Sequence, residues 1–199
     1  MESTVTRCGQ SAAVLWIGVM AVGVLVAGCS AGSSTTPPQA SDGQPGAQPS
    51  ALSSAPSQTS PADAARQGAI TAYLGMWEDM ATAGETSNWQ DPRLGLHATA
   101  TALTNITRGL YADKANGLVS KGRPKNSPQA SSMEPLSAPT KVIIEDCGDS
   151  TAWLHYRADT GKPADDSPGG RRQINAVVEK QSDGFWRVTD FGVHEVGTC

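Results

Sequence analysis

Between residues 63 and 84 the apolar positions fall at spacings of three and four: Ala69-Ile70, Tyr73-Leu74, Trp77 and Met80-Ala81. That period predicts an amphipathic helix, capped by Asp63 after Pro61-Ala62 and ended at Gly84, with Arg66, Glu78 and Asp79 off the stripe. Asp91-Pro92 is a cap followed by a favoured first-turn proline, and it opens a short helix through Leu94 and Leu96 toward His97. A third helix is predicted over residues 99–115, with Ala102-Leu103, Ile106 and Leu110 inward and Gly117 as the stop.

From Leu118 onward the period changes to two. Strands are predicted at 118–123, 129–136, 140–147, 151–158, 171–181 and 185–196. Cys147-Gly148-Asp149-Ser150 and Ser182-Asp183-Gly184 are tight-turn signals, and residues 159–170 form a longer exposed connection. Helices first and an antiparallel meander afterwards predict an α+β domain, its helices packed on one sheet face.

The chain before this domain has a different composition. An apolar run of 16 residues, 12–27, is short for a membrane-spanning helix and long enough for the core of an export signal. It ends in Leu25-Val26-Ala27-Gly28-Cys29, which resembles the lipobox of bacterial lipoproteins, with cleavage after Gly28 and a diacylglycerol on the Cys29 thiol. The competing readings are a plain signal peptide and an uncleaved anchor helix. Residues 30–61 hold nine Ser, six Pro, one charge and one large apolar residue, too little apolar surface to offset the entropy of ordering. Such a tether spans on the order of 30 Å as a coil. The expected organisation is a signal at 1–28, a lipidated tether at 29–61 and one folded domain at 62–199.

Cysteine usage agrees with export. Cys8 lies in the signal and Cys29 takes the lipid, so Cys147 and Cys199 remain as a pair in an oxidising compartment. Their disulfide would close a loop of about 50 residues, worth about 4 kcal/mol in the chain-entropy model; the alternative is two free thiols.

Charge narrows the partners. Fifteen basic against nineteen acidic residues give a net charge of −4, with no excess for collecting nucleic-acid phosphates. The expected partners are the membrane through its lipid anchor, an unidentified small molecule or an envelope protein, and a second copy of the chain. The stretch 108–125 carries Arg108, Lys114, Lys121, Arg123 and Lys125 against Asp113; it is either ordinary surface charge or a face for anionic envelope polymers.

The run Tyr73-Leu74-Gly75-Met76-Trp77-Glu78-Asp79-Met80-Ala81 resembles the first helix of the NTF2-like (SnoaL-like) cone fold, and Gly184-Phe185-Trp186-Arg187-Val188 resembles its last strands. With Cys147-Gly148-Asp149-Ser150 and the terminal Gly197-Thr198-Cys199, the chain is also similar to small lipoproteins of actinobacteria. The resemblance implies a cone of three helices on a curved sheet, a scaffold shared by isomerases, dehydratases, hydrolases and non-catalytic binding modules.

No catalytic set assembles from the motifs. Steroid-isomerase chemistry needs a carboxylate base and an oxyanion site, and His97-Ala98-Thr99-Ala100-Thr101 stands where the acid-rich stretch belongs. His155 shares a strand face with Trp153 and Arg157 and is the best acid/base candidate, against the reading of an ordinary half-buried histidine; Asp190 is a second candidate, and His97 and His194 lie near element ends. The histidine and cysteine spacings match no zinc site, Asp159, Asp165 and Asp166 match no calcium loop, and no cofactor motif is present. Tyr73, Trp77, Trp153, His155 and Trp186 are the candidate lining of a cavity, the alternative being that the aromatics fill it as core. The expectation is a non-catalytic ligand- or partner-binding module, the alternatives being a small hydrolase or isomerase and a dimeric assembly factor.

Overall fold

The computed structural model describes residues 59–164 and 169–199. The signal, Cys29, all but the end of the tether, and Asp165 and Asp166 lie outside the described residues.

Helix α1 spans Pro61–Gly84, α2 Leu94–His97 and α3 Ala100–Ala115. The cap of α1 is Ser60 rather than Asp63. Ser60 is extended, its Oγ accepts from the Asp63 N–H at 3.1 Å, and Pro61 takes the first turn, where its missing N–H costs nothing. The helix is also rotated from the expected stripe. Ala65, Ala69, Ala72, Tyr73, Met76 and Trp77 are buried, whereas Leu74 is 41% exposed. The buried positions advance by three, four and seven, a 3.6-residue period that brings Met76 inward and carries Leu74 out. Helix α3 buries Ala102, Ile106 and Leu110 and stops at Gly117, whose φ of +65° a side chain would disfavour.

Six strands follow: β1 Leu118–Lys121, β2 Gln129–Glu134, β3 Lys141–Asp149, β4 Leu154–Arg157, β5 Arg171–Lys180 and β6 Trp186–Val193. They form two antiparallel sheets, not one meander: a pair β1-β4 and a four-stranded sheet ordered β2-β3-β5-β6. Strand β4 leaves the chain order because Leu118–Lys121 is its partner, with Ser120 opposite His155. Cys147-Gly148-Asp149 is strand, paired to Arg171–Gln173, so the turn falls later, near Ser150. The turn at Ser182-Asp183-Gly184 lies where its residues predict it.

Helices α1 and α3 cover one face of the four-stranded sheet. That face presents Val142 and Ile144 from β3, Ile174, Ala176 and Val178 from β5, and Val188 from β6, all buried against the helices. Each fully buried Val or Ile contributes roughly 1.5–3 kcal/mol. Cys147 and Cys199 form a disulfide with a Cα–Cα distance of 5.9 Å across 52 residues. It ties the last residue to β3, while Gly197 N–H donates to Arg171 O and Gln173 N–H to Thr198 Oγ1, each at 2.8 Å. The C-terminal segment therefore runs on beside the start of β5.

Candidate functional site

Between α1, α3, the β1-β4 pair and the far end of the large sheet lies a cavity of about 880 Å³, within the usual range of small-molecule sites. Its back wall is aromatic. Trp77, 6% exposed, meets Trp153 edge-on at 6.0 Å and Phe191 at 5.7 Å between ring centroids. Ile106 and Leu110 from α3 and Ile174 from β5 add aliphatic surface. Val193 and Val196, 44% and 54% exposed, stand at the open side, so the disulfide-tethered C-terminus supplies part of the wall. Neither the Trp77 nor the Trp153 indole N–H, both buried, has a hydrogen-bond partner among the described residues.

Among the described residues polar groups are the minority of the lining. His155 Nε2 lies 3.5 Å from Asp113 Oδ2, joining β4 to α3. Ser120, Asn126 and Arg172 also face in. Asn126 leads to a buried network: its Nδ2 donates to Asp146 Oδ2 at 2.6 Å, Tyr73 Oη donates to the same oxygen at 2.9 Å, and Ser127 N–H donates to Oδ1 at 2.7 Å. Burial first, and the Asp146 carboxylate second, push the Tyr73 phenol far above its ordinary value of 10.0. A phenol so held stays neutral and donates; it is a poor acid or base.

The five expected lining residues therefore separate. Trp77, Trp153 and His155 surround the cavity together. Tyr73 is wholly buried beside it, its ring 6.2 Å from Trp77 and its hydroxyl committed to Asp146. Trp186 is elsewhere, lining a groove with Phe185 and the first turns of α1. His97 lines that same groove, its Nδ1 2.7 Å from Asp79 Oδ2, and its ring packs so close to Gly75 that a Cβ there would lie 2.7 Å from it. Asp190 is exposed on β6 and does not reach the cavity. Of the basic stretch, Arg123 pairs with Glu78 and Glu85 at 3.0 and 2.9 Å, and Lys121 sits 4.5 Å over the Tyr156 ring. Those contacts account for two of the five cations within the fold.

Asp146 and Arg172 are the residues that motif reading passed over. Their signal lies in the period of two: Val142, Ile144 and Asp146 alternate on β3, and Arg172, Ile174, Ala176 and Val178 on β5, so each charge takes an inward position. Among the described residues no group of three or more His, Cys, Asp or Glu side chains is arranged to hold a metal ion, and no helix is long and apolar enough to cross a membrane.

No family model matches the chain, and no curated protein matches it. Among solved structures it is similar to the intermembrane space region of the chloroplast protein ARC6, with a TM-score of 0.45 and 11% identity over 65% of this chain and 95% of that one.

Proposed function

We propose that this chain is a lipid-anchored, extracytoplasmic binding module with an NTF2-like cone, which holds a small apolar molecule without transforming it. The observation that carries this reading is the cavity of about 880 Å³, walled by Trp77, Trp153, Phe191 and aliphatic side chains, with polar groups in the minority among the described residues. Its wall residues include two buried indole donors, of Trp77 and Trp153, without partners among the described residues, each costing about 1–3 kcal/mol while unmet. The Cys147–Cys199 disulfide suits an oxidising compartment, and Leu25-Val26-Ala27-Gly28-Cys29 supplies the anchor.

Native mass spectrometry of the purified protein, with extraction of anything bound, tests the binding role. A reproducible small molecule, or uptake of the neutral dye N-phenyl-1-naphthylamine, supports it; a protein that carries nothing and takes up no dye refutes it. For the anchor, Cys29→Ala releases the protein from the membrane fraction, and unchanged retention overturns lipidation. The His155–Asp113 contact at the same cavity favours one second reading, a small hydrolase or isomerase. His155→Ala leaves ligand uptake intact under the binding reading and abolishes turnover under the catalytic one.

A further inference from the structure

Arg172 occupies a position that folding alone does not explain. It precedes Ile174, Ala176 and Val178 on the inward face of β5, and those three are core. Inward charges commonly guard exposed sheet edges, yet β5 is central, between β3 and β6. Its neighbour Arg171 turns the other way, with Nε and Nη2 on Cys147 Sγ at 3.3 and 3.2 Å. Arg172 instead lines the cavity, half-buried, and among the described residues it has no hydrogen-bond or ion-pair partner. Its register partner on β3 is Gly148, so no β3 side chain stands directly across from it. Among the described residues the carboxylate that lines the cavity is Asp113, and it is engaged with His155.

A guanidinium against apolar walls gives up hydration, and a counter-charge offsets that loss. Its planar fork matches a carboxylate or a phosphate, two parallel N–H donors to two oxygens. Beyond Arg172 the surface is apolar, along Ile174, Phe191, Trp77 and Leu110. The geometry points to an anionic amphiphile as the ligand class: a carboxylate or phosphate head on Arg172, with a hydrocarbon body against the aromatic wall. This inference rests on the binding reading above and adds to it the charge of the ligand and the residue that recognises it.

The test compares head groups on one chain length. Purified full-length protein is titrated with decanoate, decyl phosphate and uncharged methyl decanoate, read by calorimetry and by the fluorescence of Trp77 and Trp153 in the cavity wall. The expected result is binding of at least one anion about tenfold or more tighter than the ester, as a charge-assisted contact implies; the tighter anion identifies the head group. Arg172→Gln lowers anion affinity to that of the ester and leaves ester affinity unchanged. If the ester binds as tightly as both anions, or Arg172→Gln binds them undiminished, the anionic assignment is overturned while the binding reading stands. If no probe binds, ester included, both fall. The head-group comparison on the unmodified protein decides the question even if the variant does not fold.

Discussion

The Tyr73 hydroxyl donates to Asp146 Oδ2 at 2.9 Å, linking the middle of α1 to the inward face of β3 across 73 residues of chain. Asp146 is 6% exposed and also accepts from Asn126 and from the Ser127 backbone, so one carboxylate holds a helix, a strand and the 122–128 connection together. That connection carries Asn126 and Pro124 into the cavity wall. The network thus helps set the shape of the site, and Asn126 belongs to both.

Tyr73→Phe keeps the ring and removes one hydrogen bond to a buried charge, so it lowers stability by about 1.5–3 kcal/mol in urea unfolding. Asp146→Ala leaves three donors unmatched and costs more than Tyr73→Phe. Equal effects for the two would show that the carboxylate does not organise the network.

Stability also falls on the alkaline side. The Tyr73 phenol is held protonated in the fold, while in the unfolded chain it titrates near its ordinary 10.0. Its contribution is complete below about pH 10 and is lost as pH rises beyond it, because only the unfolded state then releases the proton readily. Unfolding midpoints from pH 8 to 11.5 decline in the native protein, and Tyr73→Phe flattens the decline; parallel curves would refute this.

Reduction of Cys147–Cys199 frees a loop closed across 52 residues. Cys199→Ser lowers stability by about 4 kcal/mol in the chain-entropy model. Because Val193 and Val196 lie on the segment it secures, the same substitution weakens retention of a cavity-bound dye. Thermal unfolding and dye release, with and without reductant, measure the two effects separately.

Gly109 lies inside α3 at the cavity wall, and a Cβ there would meet nothing within 4 Å. Gly109→Ala raises stability by about 0.5–1 kcal/mol through helix propensity alone. Gly109→Trp places an indole toward the cavity and lowers ligand uptake while the helical circular dichroism is retained. Full uptake by a folded Gly109→Trp protein would place the ligand elsewhere.

The elements were legible in the residues because periodicity is local. Spacings of three and four marked α1 to its last residue, Gly84, and alternation marked all six strands; the cysteine count left Cys147 and Cys199 as partners. Errors arose for two reasons. Ser60 displaced Asp63 as the cap for a local one, because Pro61 made the better first turn, whereas Cys147-Gly148-Asp149 became strand because β5 was there in space to pair with it.

What tertiary structure alone decided is which faces meet. Pairing of β1 with β4 and of β3 with β5 depends on long-range packing, to which a window of ten residues is blind. With the packing of α1 on the sheets, it brings Trp77, Trp153 and His155 to one cavity, while Trp186 lines another groove. It also converts two inward charges, ordinary polar letters in the chain, into a buried hub at Asp146 and an unpaired cation, among the described residues, at Arg172. A charge acquires its meaning from what surrounds it, and alternation along a strand says only which way it points.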